Sequence, residues 1–313
     1  MRSINQWSAL LITAITPLVW GSTYIVTSKL LPPDMPLLAS AIRALPAGLI
    51  LVAFSHTLPA KHWWLKLAVL GCLNIGLFFY CLFYAAYALP GGMAALVMSS
   101  QPLVVMFMSY LLLRSPLNSR HFLAAGAGIS GIAMLVLNSQ VALNGAGLLM
   151  GLLGTLCMAT GLVLTKLWGR PAGMSLMGFT GWQLVFGGLI LAPVALWQEG
   201  LPATLTTENL FGYSYLCLAG SVFAYAIWFW GIEKLPAVTL SFLGFLSPLS
   251  ACVLGYLILG ETLTGLQLFG ALAILFSILC ITQARDRDRP ENGAPENGTP
   301  ENGTKETFGH KPV

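Results

Sequence analysis

Charge is scarce in this chain: Asp, Glu, Lys and Arg make up 8% of its 313 residues, against about 25% in an ordinary soluble domain. A surface so poor in charge cannot be coated for water, which removes cytosolic enzymes, secreted domains and basic nucleic-acid binders from consideration. Acidic groups are scarcest. Five precede Gln283, namely Asp34, Glu199, Glu208, Glu233 and Glu261, and each falls at the end of an apolar run. No mid-membrane carboxylate therefore offers a proton relay. The four histidines, His56, His62, His121 and His310, lie in loops or the tail, and none pairs with a Glu at metal-site spacing. No Ser, His and Asp set meets at one membrane depth. Neither a catalytic centre nor a metal or other cofactor is expected. The six cysteines all sit inside apolar runs without a C-x-x-C pair, and read as small packing residues.

What the chain has is hydrophobic length: 57% of its residues are hydrophobic and its mean hydropathy is +0.79. A helix needs about 20 apolar residues to cross the hydrocarbon core. Ten runs of about that length are separated by polar or Pro/Gly breaks, at 8–28, 36–55, 67–88, 91–113, 121–138, 147–166, 175–197, 210–231, 237–259 and 265–283. The first resembles a signal peptide in position, but it is long and has no clear small-residue cleavage site, so it is read as the first span. The fold class expected is an all-α membrane protein with lipid around it and no nucleic-acid partner.

Basic residues orient the spans, because cytoplasmic loops carry the excess of Lys and Arg. With the N-terminus inside, Arg2, Lys61, Lys66, Arg114, Arg120, Lys166, Arg170, Lys234, Arg285, Arg287 and Arg289 are cytoplasmic, and Lys29 alone is opposite. A missed or invented span would swap every later loop and destroy this asymmetry. Both termini are therefore expected in the cytoplasm. After Gln283 the chain turns to alternating Arg and Asp and then to PENGA, PENGT and PENGT, a composition that predicts a disordered cytoplasmic tail over 284–313.

An offset of 146 residues aligns the expected fourth span with the ninth. Leu89-Pro90 falls on Leu235-Pro236, Pro102-Leu103 on Pro248-Leu249 and Tyr110-Leu111 on Tyr256-Leu257. Each half holds five spans, an odd number, so the second half enters the membrane from the other side. An inverted five-plus-five repeat is predicted, with halves at 1–146 and 147–283.

Trp20-Gly21-Ser22-Thr23-Tyr24, Arg43, the two Leu-Pro entries, Pro102, Pro248 and Gly260-Glu261-Thr262-Leu263 together resemble the EamA family of the drug/metabolite transporter superfamily over residues 8–283. The closest likeness is to PecM-like members, through Ala44-Leu45-Pro46-Ala47-Gly48, Leu73-Asn74-Ile75-Gly76-Leu77-Phe78-Phe79, Phe179-Thr180-Gly181-Trp182-Gln183 and Ser241-Phe242-Leu243. The resemblance implies a ten-helix exporter in the bacterial inner membrane, with a central cavity for small metabolites. Amino-acid derivatives, aromatic compounds and pigment-like secondary metabolites are the substrate classes implied. One departure stands out: the first half has Arg114-Ser115-Pro116 where the second has Gly260-Glu261-Thr262.

The candidate cavity residues follow from the same pattern. Arg43 is the clear mid-span charge, and at the bilayer centre it costs about 2.5 to 3.5 kcal/mol on insertion scales. It either attracts a carboxylate or carbonyl of a substrate or bonds helix carbonyls, with Asn74, Gln101 and Gln183 as its nearest candidate polar partners. Aromatic residues crowd the third and eighth spans; Phe79, Tyr80, Phe83 and Trp228, with Trp20 of the first, are candidates to line a pocket for planar solutes. Tyr87 shares a helical face with Phe79 and Phe83. Lipid contact and interfacial anchoring are the competing roles for such residues. Pro102 and Pro248 each remove a backbone hydrogen bond in mid-span, beside Gln101 and Ser247, and broken helices of this kind point to a midplane site. A membrane sensor or assembly subunit that transports nothing is the alternative function; such a protein is expected to carry a sizeable extramembrane domain, and no long loop is present.

Overall fold

The computed structural model describes residues 5–89, 93–136, 144–260 and 264–287. All regular structure among them is helical. The helices are α1 (Gln6–Gly21), α2 (Thr23–Leu30), α3 (Pro36–Ser55), α4 (Trp64–Gly71), α5 (Leu77–Ala88), α6 (Met93–Met98), α7 (Gln101–Leu113), α8 (Ser119–Val136), α9 (Gly145–Trp168), α10 (Leu176–Gln198), α11 (Thr207–Cys217), α12 (Ala224–Lys234), α13 (Ala237–Leu243), α14 (Leu246–Leu259) and α15 (Gly265–Arg287). Single π-helical turns, Cys72–Gly76 and Leu218–Phe223, join α4 to α5 and α11 to α12.

Eight segments of the described residues are long and apolar enough to cross a membrane, and they overlap every expected run except 91–113 and 121–138. Those two are found as α6 with the 13-residue α7, and as the 18-residue α8. The interruption before α7 has a local cause. Pro102 lacks an N–H for the Met98 carbonyl and its ring crowds that carbonyl, so the chain turns at Ser99 and Ser100 before helix resumes. Pro248 acts likewise on the Gly244 carbonyl, and α13 and α14 are separated at Gly244 and Phe245. Arg2, Pro90, Glu261, Arg289 and the PENG repeats lie outside the described residues, as do the side chains of Tyr24, Tyr87, Arg285 and Arg287.

Apolar side chains point outward as well as inward. Leu11, Phe107, Leu111, Leu189, Leu272 and Phe276 are all exposed, a surface suited to lipid and not to water. Because lipid is as apolar as leucine, helices in such a setting are held by close packing of small residues and by interhelical hydrogen bonds. Two seams show this. A Cβ on Gly48 of α3 would stand 2.6 Å from the Val185 nitrogen of α10, and one on Gly181 of α10 would stand 3.0 Å from the Gly48 oxygen. A Cβ on Gly131 of α8 would lie 2.7 Å from the Gly270 oxygen of α15, and one on Gly270 2.6 Å from the Gly131 oxygen. Either seam closes only where no side chain intervenes.

Local features recur 146 residues apart. The π turns begin at Cys72 and Leu218. Helices α7 and α14 both end in a left-handed residue, Arg114 (φ 52°) and Gly260 (φ 68°). The amides of Leu89 and Leu235 donate to the carbonyls of Ala85 and Gly231.

Candidate substrate cavity

The π turn at Leu218–Phe223 sets the polar centre of the molecule. A π turn leaves backbone carbonyls outside the regular ladder, and here the Gly220 carbonyl accepts from Trp20 Nε1 (3.1 Å) and Arg43 Nη2 (3.1 Å). Arg43 Nε donates to Ser221 Oγ at 3.4 Å, and its guanidinium carbon stands 5.0 Å from the centre of the Phe79 ring. Arg43 is thus held by a helix carbonyl, a hydroxyl and an aromatic face. It makes no hydrogen bond to Asn74, Gln101 or Gln183, its expected partners; the π turn of a distant span comes nearer than any of them.

Asn74 and Gln183 meet elsewhere. Asn74 Nδ2 donates to Gln183 Oε1 (3.0 Å) and to Thr165 Oγ1 (3.2 Å), and all three residues are buried. Asn74 belongs to the first π turn, and the 146-residue offset carries it onto Gly220. The first π turn is therefore tied internally by Thr165 of α9 and Gln183 of α10, and the second is tied by Trp20 of α1 and Arg43 of α3.

Around Arg43 opens a cavity of about 410 Å³. Nine of the twelve expected residues line it: Trp20, Arg43, Phe79, Phe83, Gln101, Pro102, Trp228, Ser247 and Pro248. Asn74 and Gln183 do not. Tyr80 lines a second cleft of about 160 Å³ with Asp34, Gln198 and Glu199; it stands about 100° around α5 from Phe79, and Phe83 borders both spaces. At that cleft the Glu199 carboxylate accepts from the amides of Leu37 (2.8 Å) and Leu38 (2.7 Å) at the start of α3. A negative group there satisfies two orphan amides and opposes the helix dipole.

The cavity wall is aromatic where Arg43 stands. Trp20 packs against Tyr225 (5.0 Å between ring centres) and Trp228 (5.2 Å), and Tyr225 against Phe79 (6.5 Å). Tyr225, Thr23, Thr27, Thr155 and Met158 line it too and were not among the expected residues. A signal for Tyr225 was present, because it stands 146 residues after Phe79. Seven pairs of lining residues share that offset: Phe79 and Tyr225, Leu82 and Trp228, Ala95 and Ser241, Met98 and Gly244, Ser99 and Phe245, Gln101 and Ser247, Pro102 and Pro248.

No lining residue lies beyond Met158 on α9 or Trp228 on α12. Past those points the two helix ends are bound together. Lys166 Nζ donates to the carbonyls of Ile232 (2.7 Å) and Glu233 (3.3 Å), and Arg170 Nε pairs with Glu233 Oε1 at 2.7 Å. Among the described residues no group of His, Cys, Asp and Glu could hold a metal ion. The cavity has room for a solute of modest size, and among the described residues no catalytic set lines it.

Known proteins resemble this chain along most of its length. The model of the EamA-like transporter family matches residues 7–137 and again 145–283. The chain is 53% identical over 267 residues to protein PecM of Dickeya dadantii (strain 3937), covering 85% of this chain and 89% of that protein. It is 27% identical over 271 residues to the uncharacterized inner membrane transporter YedA of Escherichia coli (strain K12), covering 85% and 87%. A crystal structure described only as that of a protein superposes with a TM-score of 0.77 at 17% identity, covering 91% of this chain and all of that one, a likeness of fold.

Proposed function

This chain belongs to the EamA-like transporter family, and from that premise we propose that it is an inner-membrane exporter of small metabolites working by alternating access. The observation that carries the proposal is the cavity wall, seven pairs of whose residues are related by one sequence offset. A binding site built from equivalent residues of two halves is what a transporter needs if the halves are to exchange roles around a fixed solute. We take the architecture to be ten spans in two inverted halves. The two family matches, the recurring π turns, the proline interruptions and the paired helix caps at Arg114 and Gly260 support this.

In the proposed cycle the contacts of Lys166 and Arg170 with the end of α12 keep one end of the cavity shut, and they break when that end opens. Both termini lie in the cytoplasm by the charge asymmetry. The inner-membrane location is supported by the relative from Escherichia coli, named an inner membrane transporter. The substrate is a small metabolite: an amino-acid derivative, an aromatic compound or a pigment-like secondary metabolite. Efflux of a metabolite panel from cells with and without the protein tests the proposal. Faster loss of at least one solute is expected; no change for any solute, with folded protein present in the membrane, overturns it.

A further inference from the structure

Of the described residues that line the cavity, Arg43 carries the one charge, and no carboxylate is among them. Among the described residues Arg43 has no acidic partner; the ion pair present is Arg170 with Glu233, far along α12. A guanidinium has five N–H donors, and two are used, by Gly220 and Ser221. The Thr23 hydroxyl also belongs to the cavity lining and is buried without a hydrogen-bond partner. The Gln101 amide and the Ser247 hydroxyl also line the cavity. The remaining surface is mostly ring and aliphatic carbon, with Trp20, Phe79 and Tyr225 about the arginine.

We infer that the cavity takes solutes with a hydrogen-bond acceptor, a carbonyl or carboxylate, on a flat apolar body, and rejects organic cations. The inference deepens the exporter proposal, since it treats the cavity as the solute site. An acceptor placed against Arg43 and Thr23 satisfies donors that are otherwise idle, and a carboxylate also supplies the counter-charge that the protein does not. Flat rings then stack on the aromatic wall. A cation meets the opposite situation. The Phe79 face that would attract it is already turned toward Arg43, at 5.0 Å. A second positive charge at roughly 5 Å is disfavoured on the order of a hundredfold at an effective dielectric of 20. Water in the cavity screens part of this, leaving at least about a tenfold preference.

The test uses three probes on one ring system: 2-naphthamide, 2-naphthoate and 2-naphthylmethylammonium. Binding to the purified full-length chain is measured by equilibrium dialysis against protein-free micelles. The amide and the carboxylate should bind at least about tenfold tighter than the ammonium, and Arg43→Gln should shrink that ratio to threefold or less. Arg43→Lys, which keeps the charge, should preserve the order of the probes, and it serves where Arg43→Gln yields no folded protein. Equal or tighter binding of the ammonium, no binding of any probe, or a ratio unchanged in Arg43→Gln overturns the inference. Flux of the same probes in proteoliposomes separates it from the exporter proposal. Binding with the stated preference and no flux removes transport but leaves the selectivity; flux indifferent to charge does the reverse.

Discussion

Asn74→Ala should lower stability and leave the cavity intact, although sequence reasoning groups Asn74 with the cavity residues. The mutation deletes the donor to Gln183 Oε1 at 3.0 Å and to Thr165 Oγ1 at 3.2 Å. Thr165 keeps its own donation to the Gly161 carbonyl at 2.7 Å, so its loss is small. Gln183 is fully buried, and its side-chain oxygen is left with no donor. Side-chain hydrogen bonds inside membranes average about 0.6 kcal/mol and reach about 1.7, and an orphaned buried acceptor costs about 1 to 3 kcal/mol. The orphaned acceptor, whose cost already contains the lost bond, sets the loss at about 1 to 3 kcal/mol, or roughly 2 to 12 °C in the unfolding midpoint. Gln183→Leu removes the orphan, so the double variant should be less damaged than the sum of the singles by about 1 kcal/mol or more. Heating the detergent-purified variants and following the monodisperse chromatographic peak measures this. An unchanged midpoint with lost solute binding would refute the reasoning and return Asn74 to the binding site.

Arg43→Ala should insert readily yet lose most transport per folded molecule, while Arg43→Lys, which keeps a cation without the planar fork, should retain part; efflux corrected for folded protein measures both, and normal export by Arg43→Ala would make the arginine a packing strut. Gly131→Leu places side-chain atoms where the Gly270 carbonyl of α15 already stands, and should cost about 2 kcal/mol or more. Gly126→Leu, on the same helix with open space at its Cβ, should be close to neutral, and the yield of monodisperse protein compares the two. Reporter fusions after Lys61, Arg114, Arg170, Lys234 and Arg289 should report cytoplasm, and those near Pro33, Gly145 and Pro202 periplasm; two reversals would contradict the ten-span arrangement.

Period and charge made the helices legible, because an apolar run of spanning length has few alternatives in a chain so poor in charge. Pro36–Ser55 coincides with the expected second span to the residue. The expected third and eighth spans hid their π turns, since nothing in Cys72–Gly76 or Leu218–Phe223 distinguishes a π turn from continuous helix before packing is known. That omission explains why the carbonyl that meets Arg43 could not be named, although a helix carbonyl was one of its two expected alternatives. Its partner is a backbone carbonyl, which every residue has, and only the π turn frees the one at Gly220 for Arg43 and Trp20. Polar side chains were visible as candidates, but their faces were not, so Asn74 and Gln183 were grouped with the cavity when they bond each other. Tyr225 was legible in principle, since the offset that aligned the prolines also carries Phe79 onto it.

Holding one end of the cavity shut by a reversible link tests alternating access most directly. With the six native cysteines replaced, Arg170→Cys and Glu233→Cys place two thiols where the ion pair now joins the chain beyond α9 to α12, and a short cleavable bifunctional thiol reagent can bridge them. The variant is reconstituted in proteoliposomes, and exchange of the solute found in the efflux panel is followed across the membrane. Bridging should stop exchange, and cleaving the link should restore it, while binding to the cavity persists in both states. Equal exchange with the link closed and cleaved would contradict the account.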